Sequence, residues 1–364
     1  MRIALIALLG LHGLIHFLGP AKAFGWATVP QLRTPITPVS GALWLFAGML
    51  LVGAAITFAI GARQWWWFGV PAVLLSQLLI TQAWSDAKFG TLANIVVAIP
   101  LLIAAADARP GSFRAQFARD RDRLLARTAA PAAPVTEQDL AALPPLMQMY
   151  LRRSGVVGRP HVHNVHVQFK AQMRSSATSP WMPSTADEYA FVNPPGRLFA
   201  MKASRAGVPF DVLHEYIDTA ATFRVKVAGL IPMVDKSGPE LTNDETVTVM
   251  NDILVFAPAA VLDLPFTFET TGDHTVRATF RNAGFAVAAM LTFDAAGDLV
   301  GFVSSDRSHG LAGGAADWST PISGYREVTG IRVGSLGEAN WIDKSGKWTY
   351  GRFEIVSIAY NVAK

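Results

Sequence analysis

Two histidines, His12 and His16, stand four residues apart in an N-terminal stretch, 3–21, that carries no formal charge. On a helix that spacing puts both imidazoles on one face, where they can meet a metal, a haem iron or each other. Two imidazoles with no carboxylate or third histidine beside them make an incomplete metal set. The structural reading is that polar groups within a bilayer find partners on neighbouring helices, here Gln77, Gln82 or Asn94. Asp86 and Lys88 fall in a short turn between apolar stretches and are expected to pair with each other. His161 and His163 share one side of a strand entrance with His166 opposite, a weak candidate metal site because no acid is placed beside them by sequence. His214-Glu215-Tyr216-Ile217-Asp218 has the look of a zinc-protease motif, but it lies on a predicted strand, and that chemistry needs two histidines on one helical face. Ser304, Ser305, Asp306, Arg307, Ser308 and His309 set hydroxyls beside a histidine and a glycine-rich turn at 310–314. The strand-turn-helix elbow that activates a serine is missing, so a solvated loop is expected. No catalytic residue and no cofactor is identified by these motifs.

The elements that position these groups fall into two unlike halves. Residues 1–106 contain one acid, Asp86, against Arg2, Lys22, Arg33, Arg63 and Lys88. Four stretches free of formal charge, 3–21, 34–62, 64–85 and 89–106, are each of a length to cross a hydrocarbon layer of about 30 Å as a helix. The last runs directly into Arg109, Arg114, Arg119, Arg121, Arg123 and Arg127, and such a block stays in the cytoplasm. The expectation is a multi-pass inner-membrane protein with both termini inside. Lys22 and Arg33 then fall outside, against the rule. The alternative for the first stretch is a signal peptide with Ala21-Lys22-Ala23 as its cleavage site. Residues 107–364 balance to zero charge, so the sequence pI near 9.4 reports topology and gives no nucleic-acid footprint. Cysteine is absent, which excludes disulfides and thiolate chemistry.

After the junction, Ser112 can cap a helix with Phe113, Phe117, Leu124 and Leu125 as one stripe and arginines opposite. Such a helix lies on an anionic leaflet or packs on the soluble domain. Residues 129–135, with Pro131 and Pro134, read as a stiff linker. Thr136 and Asp139 open a helix that Pro144 and Pro145 must kink or divide. From His161 the period becomes two. Val165, Val167, Phe169 and Ala171 alternate with polar residues, as do Phe223, Val225 and Val227, and Val276, Ala278 and Phe280. About a dozen strands separated by turn signals predict one antiparallel sheet wide enough to curl. One helix, 241–256, interrupts them, with Val247, Met250, Ile253 and Leu254 at helical spacing. If that helix does not fill the curled sheet, an apolar hollow remains for an acyl chain or similar ligand; if it does, the core is packed.

Leu11-His12-Gly13-Leu14-Ile15-His16, Asp86-Ala87-Lys88-Phe89-Gly90-Thr91, Tyr150-Leu151-Arg152-Arg153-Ser154-Gly155, Gly229-Leu230-Ile231-Pro232, Ser237-Gly238-Pro239-Glu240-Leu241 and the closing region from Trp341 to Tyr360 resemble an uncharacterised family of bacterial multi-pass membrane proteins, a domain of unknown function. The resemblance implies no activity. The soluble half also resembles the half-barrel of bacterial lipoprotein carriers, which work in the periplasm, whereas the arginine block points the other way. The expected class is an α+β membrane protein: a four-helix transmembrane bundle at 1–106, a basic amphipathic helix and linker at 107–135, and a curved antiparallel β-domain with one packed helix at 136–364. Three functions follow: a soluble domain that binds a lipid or other apolar ligand beside membrane lipids, a membrane redox or metal enzyme built on His12 and His16, or a structural and interaction module.

Overall fold

The computed structural model describes residues 2–127, 133–308 and 316–364. His309, the 310–314 turn and most of the expected linker, Pro131 included, lie outside the described residues. The chain forms two compact units, Met1–Ser112 and Phe113–Lys364.

The first unit is helical: α1 Arg2–His16, α2 Leu18–Ala23, α3 Pro38–Ala59, α4 Trp66–Gln82, α5 Trp84–Ala87 and α6 Gly90–Ala108. Three segments are long and apolar enough to cross a membrane: Arg2–Ala23, Pro38–Ala59 and Gly90–Leu125. The expected third span is cut to the 17 residues of α4, because a 3-10 turn holds Arg63–Trp65 and Ala83 leaves the helical region. At 1.5 Å per residue it reaches roughly 25 Å. Thr37 caps α3, its side chain accepting from the Ser40 N–H, and Pro38 opens that helix. Glycines let α1 and α3 approach closely: a Cβ on Gly13 would lie 2.9 Å from Val52 and 3.1 Å from the Gly48 carbonyl. Large apolar side chains point outward along these helices, Leu74 67% and Leu102 61% exposed, which suits hydrocarbon better than water.

The second unit opens with α7 Phe113–Leu125, α8 Glu137–Leu140 and α9 Pro145–Ser154. Thr136 and Asp139 form a reciprocal capping box, and the 144–145 prolines separate α8 from α9 as expected. Strands β1 Asn164–Met173, β2 Met182–Phe191, β3 Gly196–Arg205, β4 Val208–Ile217, β5 Ala220–Val227 and β6 Ile231–Ser237 form an antiparallel meander. Helix α10, Pro239–Phe256, comes next. The second run of strands is β7 Phe266–Gly272, β8 Thr275–Asn282, β9 Phe285–Phe293, β10 Leu299–Ser304, β11 Asp317–Ser319, β12 Ile322–Val328, β13 Ile331–Asp343 and β14 Gly346–Tyr360. All join one sheet in the order β6-β5-β4-β3-β2-β1-β14-β13-β11-β10-β9-β8-β7, with β12 on β13.

That order fixes the place of α10. It connects β6 to β7, the two edges of the sheet, so it must cross one face from side to side. It packs on β2, β5, β6, β9, β10 and β13. Every residue from Asp244 to Val255 is buried. The helix therefore fills the curled sheet, and of the two alternatives, an apolar hollow or a packed core, the space beneath it is the packed one, with Val167, Phe199, Val247, Met250, Ile253 and Phe280 in it. Two tyrosines satisfy its C-terminal carbonyls: Tyr150 Oη–H donates to the Leu254 carbonyl at 2.6 Å and Tyr360 Oη–H to that of Phe256 at 2.8 Å. On the opposite face of the sheet the apolar stripe of α7, Phe113, Phe117, Leu124 and Leu125, covers Tyr189, Phe191, Leu198 and Leu213. The packed alternative for this helix thus holds. On its other surface Arg123 lies 2.9 Å from Asp120, and Arg127 2.7 Å from Asp218.

Candidate functional site

In the helical unit the expected polar residues form one buried network. His16 Nδ1 lies 2.8 Å from the His12 carbonyl, which can only accept, so Nδ1 carries the proton. Its Nε2 then accepts from Ser76 Oγ–H at 2.9 Å. His12 Nε2–H donates to Asn94 Oδ1 at 2.9 Å, and Asn94 Nδ2 donates to Ser76 Oγ and Gln77 Oε1. Gln77 in turn donates to Thr91 at 3.1 Å. The two imidazoles stack edge to face at 4.7 Å. Both nitrogens of His16 are committed, so this constellation ties α1 to α4 and α6. Gln82 is exposed at the end of α4 and stands apart from it. The expected Asp86–Lys88 pair is replaced: Asp86 accepts from the Thr34 N–H at 2.7 Å, because the 24–37 connection folds back over this turn. Lys88 instead lies 5.5 Å from the centre of the Phe89 ring.

The β-rich unit holds a constellation that composition and spacing did not single out. Register places Glu188, Phe199 and His214 on one rung across β2, β3 and β4, and Ala190, Arg197 and Tyr216 on the next. All face α10. Arg197 meets three carboxylates: Asp252 at 2.6 Å, Glu188 at 3.1 Å and Glu245 at 3.4 Å. His214 Nε2 is 3.1 Å from Glu245 Oε2, close but without hydrogen-bond geometry. Arg307 reaches the other oxygen of Glu245 at 3.5 Å and lies 4.4 Å from the centre of the Trp318 ring. Trp318 Nε1–H donates to Tyr350 Oη at 2.9 Å. Burial pushes the Glu188 carboxyl well above the usual carboxylate range. Burial also pushes Asp252 up, against the pull of Arg197. Burial opposes ionisation of Glu245 too, but its charged neighbours outweigh that and hold it below its ordinary value. Burial drives His214 down to about 4, leaving it neutral at pH 7.

A cleft of about 240 Å³ opens at one end of the sheet. Val156, Val162, Pro258, Ala259 and Ile331 line its apolar side; Arg159, Tyr360 and Asn361 bring polar groups to it. Sequence reading passed over it because its walls come from four connections and strand ends far apart in the chain. The predicted pair His161 and His163 lies nearby but is not drawn into one metal set. His161 Nδ1 is 2.7 Å from Asp263, while the His163 N–H donates to Asn361 Oδ1 at 2.7 Å. His166, on β1, meets Asp187 and stacks on Tyr189. Among the described residues no group of three His, Asp or Glu side chains is placed to hold a metal ion. Ser304 Oγ–H donates to the Ala288 carbonyl and Ser305 Oγ–H to Asp317.

Residues 133–353, which contain every member of the Arg197 cluster, match the Family of unknown function (DUF6544). This chain belongs to that family. No curated protein matches it in sequence. Among solved structures, the DUF6544 chain is similar to a putative outer membrane lipoprotein-sorting protein domain from Vibrio parahaemolyticus. Identity is 10% over 54% of this chain and 85% of that one, with a TM-score of 0.31. It is also similar to a DUF1329 family protein from Desulfovibrio piger ATCC 29098, at 9% identity over 60% of this chain and 93% of that one, with a TM-score of 0.34. Neither likeness bears on what the DUF6544 chain does.

Proposed function

We propose that this is a four-span inner-membrane protein whose β-rich domain lies in the cytoplasm and binds the apolar end of an amphiphilic molecule. Three long apolar helices and the shorter α4 supply the spans, and the arginine block after α6 supports the orientation. The observation that carries the binding reading is the cleft of about 240 Å³ with apolar walls and the Arg159 guanidinium among its lining groups. Apolar voids of about 150 Å³ already stay dry and take up small hydrocarbons. Whole-ligand pockets run upward from about 300 Å³, so this cleft fits part of a ligand, a chain end, with the charged part near Arg159. Full-length protein held in amphipol should immobilise a 12-carbon spin-labelled fatty acid. Thr329→Trp, which covers the cleft from an exposed position on its lining, should abolish that component while leaving the melting curve in place. An equal immobilised signal in the variant would sink the reading.

An interaction module is favoured by a different observation. Edge strand β6 exposes Ile231 at 60% and Met233 at 61%, an apolar edge that natural sheets usually cover or charge. Pro232 between them interrupts the donor row on that edge. If the edge mediates association, Ile231→Lys with Met233→Lys should lower the mass of the full-length protein in sedimentation.

A further inference from the structure

Helix α9 ends in Arg152 and Arg153, with Gly155 in the left-handed region closing it. Arg153 donates from Nε to Asp298 Oδ1 at 2.7 Å and from an Nη to Oδ2 at 3.2 Å. Arg332, on β13, grips the same carboxylate in the same way, at 3.1 and 2.6 Å. Two guanidinium groups thus share one acid whose side chain is 7% exposed, while they remain 35% and 32% exposed themselves. A clamp between helix and sheet needs one arginine per carboxylate. The second shares that acid and keeps donors that the clamp does not use. Each guanidinium uses one edge on Asp298, so its remaining N–H groups face away from that carboxylate. The Tyr325 ring, 5.2 Å from Arg332, helps to fix the plane of one of them. Arg152 lines the same concavity, about 560 Å³ in volume, with Met149 and Ala296 as its apolar part. The acids nearby answer these charges from the rim: Glu137 pairs with Arg152 at 2.8 Å, and Asp294, held by the Ala296 and Asp298 N–H groups of its own turn, acts on Arg153 and Arg332 through its charge alone.

We propose that Arg152, Arg153 and Arg332 form a binding site for a phosphate-class oxyanion, carried on a lipid headgroup or on a small soluble molecule. Fixed, planar donor edges suit an oxyanion better than mobile ammonium groups do, and Asp298 orients two of them before any ligand arrives. The site shares no residue with the apolar cleft and stands or falls without it.

The experiment uses full-length protein in amphipol with two probes, inorganic pyrophosphate and dihexanoyl phosphatidic acid, each titrated calorimetrically. Arg152 takes no part in the Asp298 clamp and its pair with Glu137 is solvent-exposed, so Arg152→Gln tests the site with little cost to the fold. Saturable binding should weaken about 10-fold in Arg152→Gln, the loss of one charge-assisted contact, and should fall as salt rises. Arg332→Lys, which keeps the charge but loses the forked geometry, should weaken it as well. Binding of both probes, or of pyrophosphate alone, points to a soluble ligand; binding of the phosphatidic acid alone points to a headgroup. Binding of neither probe by the wild type, or equal binding by wild type and Arg152→Gln with unchanged melting, overturns the proposal.

Discussion

Arg197 offers the sharpest energetic test of the charged interior. Replacing it with alanine leaves Glu188, Glu245 and Asp252 facing one another in a volume from which water is excluded. Removing one partner of a buried ion pair typically destabilises by about 3–5 kcal/mol, because the remaining charge keeps its desolvation penalty. At roughly 2–4 °C per kcal/mol for a unit of this size, melting should drop on the order of 10 °C. The same principle makes a second, opposite prediction. Replacing the charged set by apolar residues, Arg197→Met with Glu188→Leu and Asp252→Leu, should regain most of the loss, while Glu245 keeps Arg307 as its counter-ion. Pulse proteolysis in urea reads the β-rich unit while detergent holds the helices. A loss under about 1 kcal/mol in Arg197→Ala, or a triple variant no more stable than the single one, would refute the reasoning.

His214 gives a pH prediction with a definite sign. Burial lowers its folded value to about 4 from 6.5, so the unfolded chain binds a proton first as pH falls. Stability from this residue is intact above pH 6.5 and drains away down to about pH 4, by roughly 3 kcal/mol in all. Glu188, raised by burial, works in the other direction as pH rises above its unfolded value, so the wild-type profile mixes both. The difference between wild type and His214→Gln isolates the histidine, and parallel profiles would rule the assignment out. In the helical unit, Gly13→Ala should lower the melting temperature in detergent, since its Cβ meets the Gly48 carbonyl, which belongs to the backbone and cannot turn aside. Gly10→Ala, with nothing within 4 Å, should be neutral or stabilising by up to about 1 kcal/mol. Equal effects from the two would mean that α1 and α3 do not pack as described.

Much of the fold was written in local pattern. β1 and β8 were legible because one face of each is drier than the other, and alternation records that difference; β5 alternates in residue type although both its faces are half-buried. β6 was not legible, since the structure leaves it exposed along most of its length, with no dry face to mark. The start of β2 carries Pro183, Ser184 and Thr185, which read as turn chemistry, and β11 has three residues. The spacing of Val247, Met250, Ile253 and Leu254 marks α10 as an amphipathic helix, a pattern that leaves its polar residues away from the core. What overturned this is long range: the partners of Asp244, Glu245, Asn251 and Asp252 come from β2, β3, β4 and the 306–320 region. A trace did exist in strand parity. Glu188 lies two residues from Ala186 and from Ala190, and Arg197 two from Phe199, all core positions, so each charge had to point inward. The His12, His16 and Asn94 association was legible because few polar groups interrupt the apolar stretches, whereas Ser76, a single small hydroxyl within one of them, carries little signal of its own.

The claim that the cleft holds an apolar chain is reached most directly by photo-crosslinking in the native membrane. A photoactivatable amino acid placed at Ile331, on the cleft wall, would be irradiated in intact cells and its adducts read by mass spectrometry. The account predicts adducts of lipid or fatty-acyl mass, lost when Thr329→Trp, which blocks the cleft, is combined with the probe. Adducts of water alone, or acyl adducts that persist in the blocked variant, would contradict it.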